Sequence, residues 1–577
     1  MTEFPKWHEK YPQLFEQERE ALEKQGFSLD SEVFSASGKV EFVGTLPAGG
    51  VSYYLRIRYP YGYPDFPPDA LCLDVENGRH QQTNTGKLCL LEDWKDSGVV
   101  RADEILGRAA QWFEMQETGF DPDEEIDGPE PRQYFVNTPL RSIVFAPSEV
   151  FADWTAKEGT FKAKLGLLST KSNGQGDLVR GLLSELHSNP NTWRAEERYE
   201  MLVPNYSTFV GKCFNVDEAP PYFKKQDELI AWLESKGHND VFRKCEKAGV
   251  HLQHPNNWLG PLLGVRYPDE VGRRGNIERR FLLVSLMKFV AVPRQKPRRT
   301  SFAIFETKEF SEDKMFSRVA NLNLLREKRV VALGLGTIGS SIAVELAKAG
   351  VGRLTVVDPD FVDTGNVIRS AYSLHQIGFT KAHALKQTIL SHNPYTEVVP
   401  RVEYWGCGDT GDQEIADCVA EADLVLCAVG HTPTERYVGR ITSALGKPSI
   451  FAYSSMGAWS GRAFRVVPGR TGCYDCHGHG IKDETLPKMA EPDSVSAIYD
   501  HGCAIPAFPG SGIDTGAVAN IAARLAIQTL LSDDPTAYEP TDADHIVWYG
   551  QGKEGRLLIE QKAVSKHEKC EACSIGN

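Results

Sequence analysis

The stretch Arg329-Val-Val-Ala-Leu-Gly334-Leu-Gly336-Thr-Ile-Gly339 decides the fold of the C-terminal half of this chain. It opens with an apolar strand pattern, and a helix pattern follows the last glycine at once. Glycines at this spacing let the backbone turn sharply and approach a phosphate, while the free amides at the helix start carry partial positive charge. The stretch therefore predicts a nucleotide-binding turn. A tight turn without a ligand is the alternative interpretation.

Strand and helix patterns alternate from this turn onward, which predicts an α/β doubly wound parallel sheet. The expected elements are strands at 330–333, 354–357 and 423–429, and helices at 338–349 and 382–390. Asp358 ends the second strand 19 residues after Gly339, where a carboxylate can bond a ribose hydroxyl. The glycine pattern itself does not separate ATP from NAD.

Charged residues after the second strand favour ATP. Asp358, Asp360, Asn366, Arg369 and Lys381 follow one another in that order. Transfer of an adenylyl group builds negative charge on the phosphate oxygens, and fixed cations stabilise that charge. Hydride transfer has no need for these cations, so the sequence predicts adenylation chemistry.

This order of motifs resembles the MoeB/ThiF/ubiquitin-activating superfamily, in which a glycine turn, an Ala-Gly-Val-Gly step (here 349–352), Asp-x-Asp, Asn-x-x-Arg and Gly-x-x-Lys recur. The resemblance implies that ATP lies on the glycine turn with Asp358 at its ribose. It also implies that Asn366, Arg369 and Lys381 act on the triphosphate. Single-domain relatives pair, so a homodimer is implied, with Arg318 as a candidate to reach the partner's ATP.

One element of the superfamily is absent. A magnesium-associated Asp is expected after the strand at 423–429, where the chain reads Cys427-Ala-Val-Gly-His431-Thr-Pro-Thr-Glu-Arg436. The expected place holds no carboxylate. Asp360 or a residue remote in sequence is the alternative ligand for Mg²⁺, and a weakened site is the other interpretation.

Two Cys-x-x-Cys pairs predict a structural metal site. Cys473-Tyr-Asp-Cys476 and Cys570-Glu-Ala-Cys573 together supply the four thiolates of a closed zinc site. The superfamily carries two such pairs after its nucleotide-binding half, which favours Zn²⁺. His477 and His479 lie close by, but four thiolates leave them no coordination place, so we expect both at the surface.

A further cysteine lies between these pairs, in Asp500-His-Gly-Cys503-Ala-Ile-Pro-Ala-Phe-Pro-Gly-Ser-Gly. A Gly/Pro-rich loop favours an exposed thiol that can reach an acyl-adenylate. In the enzymes that this chain resembles, the loop before the final helix carries the thioester-forming cysteine. Cys503 is therefore the predicted nucleophile.

The N-terminal part has its own candidate nucleophile. Tyr63-Pro-Asp-Phe-Pro-Pro68, then His80-Gln-Gln-Thr-Asn84-Thr-Gly-Lys-Leu-Cys89-Leu, resembles the ubiquitin-conjugating fold. The resemblance implies that Cys89 accepts an acyl group. The family's His-Pro-Asn is replaced by His80-Gln-Gln, and Asn84 is the weak candidate for the missing amide. A core cysteine in a strand is the alternative for Cys89.

Length, charge and composition bound the remaining possibilities. The 577 residues predict a multidomain chain, which we divide into an α+β ubiquitin-conjugating-like domain at 1–135, a connecting domain at 136–315 and an adenylation domain at 316–577. A net charge of −14 argues against nucleic acid or an acidic membrane as a partner. The charged N-terminal sequence and the short apolar segment 281–292 predict neither export nor a membrane span, so we expect a cytoplasmic protein.

A conjugating domain in front of an activating domain resembles the bacterial fusion enzymes of CBASS antiphage-defence operons. That resemblance implies that the C-terminus of a cGAS-like nucleotidyltransferase is activated with ATP and Mg²⁺ in a domain that Zn²⁺ stabilises. The activated C-terminus is then conjugated to an amine on a target. A ThiF-type sulfur-carrier activating enzyme, an NAD-dependent oxidoreductase and a catalytically inactive scaffold are the alternatives.

Overall fold

The computed structural model describes most of the chain, and all structural statements below concern the following residues: 6–72, 74–75, 80–82, 85–90, 99–118, 142–168, 178–203, 206–248, 260–271, 275–286, 289–290, 298–299, 303–319, 322–406, 412–494, 509–534, 541–551 and 557–574. The chain divides into two compact units. One comprises 1–195 with 202–310, and the other 196–201 with 311–577. Among the described helices, none combines the length and apolarity that a bilayer crossing demands.

The N-terminal region of the first unit is an α+β layer structure. Its elements are α1 Trp7–Lys10, α2 Pro12–Lys24, β1 Ser28–Leu29, α3 Ser31–Ser37, β2 Glu41–Ala48, β3 Val51–Arg58, β4 Asp69–Cys72 and α4 Ala102–Thr118. The strands form an antiparallel meander in the order β1-β2-β3-β4. One apolar core joins the sheet to α2 and α4 through Leu22, Phe42, Leu55 and Phe113.

A buried carboxylate ties α2 to the start of α4. Glu18 is 0 % exposed. Its Oε2 accepts hydrogen bonds from the Tyr59 hydroxyl at 2.7 Å and from the Ala102 backbone N–H at 2.9 Å, and Arg101 pairs with Oε1. The Ala102 N–H belongs to the first turn of a helix, where it has no partner inside the helix. Glu18 therefore acts as a remote cap for α4.

The rest of the first unit is built on strands. Its elements are β5 Ser142–Pro147, β6 Glu158–Leu168, β7 Leu178–Ser188, β8 Asn191–Arg194, β9 Ser207–Asn215, α5 Gln226–Ser235, α6 Val241–Ala248, β10 Leu262–Glu270, β11 Ile277–Ser285, β12 Phe289–Val290, β13 Arg298–Arg299 and β14 Ala303–Phe310. The large sheet has the order β5-β14-β11-β10-β9-β6-β7-β8, and β5 also pairs with β7. This extra pairing closes seven strands into a barrel, with β8 as an extension of β7.

Apolar side chains fill the barrel and also cover part of its outside. Phe161, Phe281 and Phe305 belong to a core to which all seven barrel strands contribute. Alternate residues of β9, β10 and β11 point the other way and pack against α5 and α6 in a second core. These strands are therefore buried on both faces, which removes the alternation that marks a half-buried strand.

The second unit contains the predicted α/β sheet. Its elements are α7 Glu312–Met315, α8 Leu322–Leu325, β15 Arg329–Leu333, α9 Thr337–Lys348, β16 Arg353–Val357, α10 Thr364–Val367, α11 Lys381–His392, β17 Glu397–Arg401, α12 Asp412–Glu421, β18 Leu424–Cys427, α13 Thr432–Ala444, β19 Ser449–Ser454, β20 Ser460–Val466, α14 Tyr474–Lys482, α15 Gly512–Leu530, β21 His545–Tyr549, β22 Leu558–Lys562 and α16 Glu571–Ser574.

The eight strands of this unit lie in the order β17-β16-β15-β18-β19-β20-β21-β22. The first five are parallel, as the sequence pattern predicts, with helices packed on both faces. The last three run antiparallel, so the sheet is mixed rather than wholly parallel. The connection from β19 to β20 is short, whereas α14 and α15 lie between β20 and β21, and the βαβ pattern does not include this antiparallel half.

We predict that Glu18→Ala destabilises the N-terminal region by about 3 kcal/mol, because it leaves the Tyr59 hydroxyl and the Ala102 N–H without their buried acceptor. Hydrogen exchange of the peptides covering α2 and α4 measures the change without assuming that the whole chain unfolds in one step. Glu20→Ala, on the exposed side of α2, is the control and should leave exchange unchanged. Equal protection in both variants would contradict the capping role.

Candidate functional site

The glycine turn lies where β15 ends and α9 begins, and two of its glycines are required by close backbone packing. Gly334 has φ +81°, and a Cβ there would lie 2.8 Å from the backbone of Ala428 and Val429. A Cβ at Gly339 would lie 1.9 Å from the Gly334 carbonyl oxygen. Gly336 is the N-cap of α9, and the space beside it is open. The turn thus presents free N–H groups to an open space.

Asp358, directly after β16, holds this turn in shape. Its Oδ2 accepts a hydrogen bond from the Leu335 backbone N–H at 2.6 Å, and its Oδ1 accepts one from the Asp360 N–H at 2.9 Å. The residue is 5 % exposed, and this burial raises the pKa of its carboxyl group. The side chain predicted to contact a ribose is therefore also a structural part of the turn.

Lys381 lies between two carboxylates at the start of α11. Its Nζ is 2.9 Å from Oδ2 of Asp360 and 3.9 Å from Oδ1 of Asp358. These contacts place an ammonium group and two carboxylates at the carboxyl ends of β15 and β16, beside the glycine turn. In doubly wound sheets this edge is where ligands bind.

Asn366 and Arg369 lie on the segment between β16 and α11. The Asn366 side chain accepts a hydrogen bond from the Asp363 N–H at 3.0 Å, and the Arg369 N–H bonds the Asn366 carbonyl. Two contacts attach the end of this segment to the glycine turn: the Tyr372 hydroxyl donates to the Leu335 carbonyl at 2.7 Å, and the Ala371 N–H donates to Ser340 Oγ at 3.3 Å.

The N-terminus of α15 packs against the same segment. A Cβ at Gly512 would lie 3.2 Å from the Arg369 Cα and from the Ile368 carbonyl oxygen, so glycine permits this approach. Cys503 lies outside the described residues, nine residues before Gly512 in sequence. The described structure resumes at residue 509, three residues before Gly512.

The connection after β18 differs from the superfamily pattern in a specific way. Residues 428–434 contain no carboxylate, and the first one is Glu435 in α13. Glu435 is 4 % exposed and accepts a hydrogen bond from the Tyr474 hydroxyl at 2.8 Å. Burial raises the pKa of its carboxyl group. Its side chain is therefore bonded within the protein interior.

The four predicted metal ligands come together. Sγ of Cys473 lies 3.7 Å from that of Cys476 and 3.5 Å from that of Cys570, and the Cys476 and Cys573 sulfurs are 3.5 Å apart. All four sulfurs lie within 4.8 Å of one another. A tetrahedral zinc site with bonds of about 2.3 Å places its sulfurs roughly 3.8 Å apart. The donor set and spacing therefore fit zinc.

The expectation that His477 lies at the surface is wrong. This residue is 4 % exposed, stacks on Phe464 with ring centroids 3.6 Å apart, and its Nε2 is 2.8 Å from Nδ1 of His545. Burial places the pKa of His477 well below its usual value. His479 is half-buried and stacks on His567. His477 lies on α14, which begins at Tyr474, and this helix directs its side chain inward.

In the N-terminal region, Cys89 is exposed and Cys72 is buried. Burial raises the pKa of the Cys72 thiol. Cys89 lies at the end of a short hairpin in which its backbone N–H donates to the His80 carbonyl at 2.7 Å, and Leu88 pairs with Gln81. The exposure of Cys89 argues against the interpretation of a core cysteine. Asn84 lies outside the described residues.

The structure thus assembles the glycine turn with Asp358, Asp360 and Lys381, and it assembles the four cysteines. Sequence reasoning missed Tyr372 and Glu435. A tyrosine three residues after the predicted phosphate-binding arginine was a usable signal for the first of these. The contact between Glu435 and Tyr474 joins residues 39 apart in sequence, and no local pattern indicates it.

Comparisons with known proteins agree with this architecture in the second unit. Residues 310–571 match the ThiF family. "Uncharacterized protein y4oA" of Sinorhizobium fredii is 25% identical, over 98% of this chain and 97% of its own length. Ubiquitin-like modifier-activating enzyme 5 of Arabidopsis thaliana is 27% identical over 36% of this chain and 52% of its own length. The chain thus spans about half the length of the activating enzymes that it matches.

Among solved structures, the crystal structure of E. coli MccB with succinimide is 21% identical to this chain. The match covers 44% of this chain and 68% of MccB, with a TM-score of 0.33. The family assignment rests on the sequence match and on the glycine turn, the carboxylates and the cysteine pairs described above. The C-terminal part of the chain, from residue 310 to residue 571, is therefore an activating domain of the ThiF type.

Proposed function

We propose that this protein activates the C-terminal carboxylate of a partner protein by adenylation and transfers the acyl group through two thioesters to an amine. The observation that carries the proposal is the glycine turn of β15 and α9 with Asp358, Asp360 and Lys381 at its side. ATP–pyrophosphate exchange, dependent on a partner's C-terminal peptide, is the test of the first step.

In the adenylation step, an oxygen of the partner's carboxylate attacks the α-phosphorus of ATP, and pyrophosphate leaves. Gly334, Gly336 and Gly339 form the turn that receives the phosphates. Arg369, Lys381 and the Asn366 amide stabilise the negative charge that builds on the phosphate oxygens. Asp358 contacts the ribose in addition to holding the turn, since each carboxylate oxygen has a second acceptor position.

Asp360 is the carboxylate that would hold Mg²⁺, because the connection after β18 offers none and Glu435 is bonded within the interior. The side chain of Asp360 is 58% exposed, so it can turn from Lys381 toward a metal ion. Release of Lys381 from this ion pair would then free its ammonium group for the triphosphate.

Zn²⁺ is held by Cys473, Cys476, Cys570 and Cys573. A closed set of four thiolates leaves no position for substrate, so the ion acts as a structural link between segments 94 residues apart in sequence. The backbone N–H of His567 donates to the Cys476 sulfur at 3.2 Å, a contact that stabilises a thiolate ligand.

Two acyl transfers follow adenylation. The Cys503 thiolate attacks the carbonyl of the acyl-adenylate and AMP leaves, which forms the first thioester. The Cys89 thiolate then attacks that thioester and Cys503 leaves as a thiolate. Finally an amine of the target attacks the Cys89 thioester, and an amide forms as the thiol is released.

Two features of the N-terminal region support a conjugating role. Cys89 is exposed at the end of a hairpin, and an antiparallel meander with flanking helices precedes it. We assign the region 1–135 to this role, 136–315 to a connecting domain and 316–577 to activation. A cGAS-like nucleotidyltransferase in antiphage defence is the proposed partner, by the resemblance to fusion enzymes, and a homodimer is the proposed assembly, with the exposed Arg318 reaching the partner's ATP.

The absence of a carboxylate between residues 428 and 434 favours a catalytically inactive scaffold as the second candidate function. Such a scaffold would bind partners without ATP turnover. A ThiF-type sulfur-carrier activating enzyme would retain exchange after removal of residues 1–135 and would form no amide. Assays of pyrophosphate exchange, thioester formation and amide formation on the full chain therefore distinguish these three functions.

We predict that Arg369→Ala and Lys381→Ala each lower pyrophosphate exchange by roughly a hundredfold, because each removes a cation from the developing charge. Lys348→Ala is the matched control, since it removes a cation from the far end of α9, where Lys348 pairs with Glu345. Circular dichroism should be unchanged in all three variants. Normal exchange in both test variants would remove the triphosphate roles.

We predict one zinc ion per chain. Cys570→Ser should lose the ion and lower the melting temperature of the second unit by more than about 5 °C, because the metal links distant segments. Cys418→Ser is the control, since this half-buried cysteine is not part of the cluster. Elemental analysis and differential scanning calorimetry are the measurements, and a well-folded protein without metal contradicts the assignment.

We predict that substitutions of the two catalytic cysteines block the reaction at different steps. Cys503→Ala should keep pyrophosphate exchange but form no thioester, whereas Cys89→Ala should load Cys503 and then stall. Gels with and without reductant distinguish thioesters, which thiols cleave, from amides. Cys418→Ala serves as a thiol control. If Cys89→Ala forms reductant-resistant conjugates at the normal rate, the N-terminal region is not the conjugating part.

A further inference from the structure

Residues 473–476, which carry the first cysteine pair and include the start of α14, are bonded to α13 by three side-chain contacts. The Tyr474 hydroxyl donates to Glu435 at 2.8 Å. On the exposed side, Asp475 pairs with Arg436 at 3.1 Å and with Arg440 at 3.4 Å. We call residues 473–476 the metal knuckle. Its tyrosine and aspartate lie between two cysteine ligands, so the metal fixes the backbone on both sides of them.

Glu435 belongs to the first turn of α13, directly after the connection that follows β18. Its backbone N–H donates to the His431 carbonyl at 3.0 Å. This one residue therefore bonds the metal knuckle through its side chain and the end of the connection 428–431 through its backbone. Because Glu435 is 4 % exposed, water cannot replace the Tyr474 hydroxyl without opening the interior.

This connection forms one wall of the glycine turn. A Cβ at Gly334 would lie 2.8 Å from the backbone of Ala428 and Val429, and a Cβ at Gly339 would lie 3.2 Å from the Ala428 Cβ. At such separations a displacement of the connection by a few tenths of an ångström either presses on the turn or leaves a gap. The N–H groups of the turn would then no longer point at a phosphate.

We propose that Glu435 is a positioning residue through which metal at the four cysteines and ATP at the glycine turn strengthen each other's binding. This inference rests on the proposed function, since it takes zinc and ATP as the ligands. The contacts run from Cys473 and Cys476 to Tyr474, from Tyr474 to Glu435, from Glu435 to His431, and from the connection to Gly334. Linkage requires the coupling to be equal in both directions.

The experiment measures the apparent zinc affinity of the full chain by competition with a chelator of known affinity. It is done with and without an ATP analogue that has a methylene between the α- and β-phosphorus and therefore cannot donate its adenylyl group. We expect the analogue to tighten zinc binding about fivefold or more in the unchanged protein. The analogue's own affinity is measured by calorimetry.

Tyr474→Phe is the decisive variant, because it keeps the ring that packs on Phe451 and removes the hydroxyl that bonds Glu435. We expect it to bind zinc and the analogue with a coupling factor near one. In pyrophosphate exchange it should raise the KM for ATP while kcat is retained. Glu435→Leu, which removes the acceptor of the Tyr474 hydroxyl, should behave in the same way.

Arg440→Gln is the matched control. It breaks a contact of the metal knuckle at Arg440, whose side chain is 63% exposed, and leaves Glu435 in place. Coupling should therefore persist. Binding of both ligands without mutual effect in the unchanged protein overturns this inference alone, as does full coupling in Tyr474→Phe. Failure to bind the analogue or zinc overturns the proposed function as well.

Discussion

The architecture of the C-terminal unit depends on the close approach of two backbone segments. The glycine turn after β15 and the connection after β18 lie so near each other that a Cβ at Gly334 has no room. β15 and β18 are adjacent parallel strands, and the Ala428 N–H bonds the Leu333 carbonyl where both strands end. The geometry of the glycine turn is thus a property of two strands rather than of one loop.

Buried polar contacts spread from this point through the unit. Tyr372 attaches the segment of Arg369 to the turn, and Asp358 bonds the turn from the β16 side. Glu435 bonds Tyr474 from the start of α13. Each of these groups has its hydrogen-bond partners inside the protein, which favours a single arrangement of the loops. The residues proposed to touch phosphate are therefore carried on loops that buried hydrogen bonds hold in place.

The sequence predicted the elements with the strongest periodicity. β15, α9, β16 and α11 lie at the expected positions within a few residues, and the spacing of the cysteines predicted their cluster. The barrel of the first unit was not predicted, because β9, β10 and β11 are apolar on both faces and show no alternation. His477 and Glu435 were misjudged or missed, since their burial depends on partners 68 and 39 residues away.

The way in which the barrel closes has a consequence for the order of folding. β5 pairs with β14, so that Ile143 lies opposite Glu306, whereas β2 and β3 of the N-terminal meander are joined by a tight turn. Loop-closure entropy makes distant pairings slow, and near ones form first. During synthesis the meander can fold early and β5 can pair with β7, but the edge of β5 that pairs with β14 stays open until β14 has been made. The barrel is therefore exposed to aggregation through this edge before it closes.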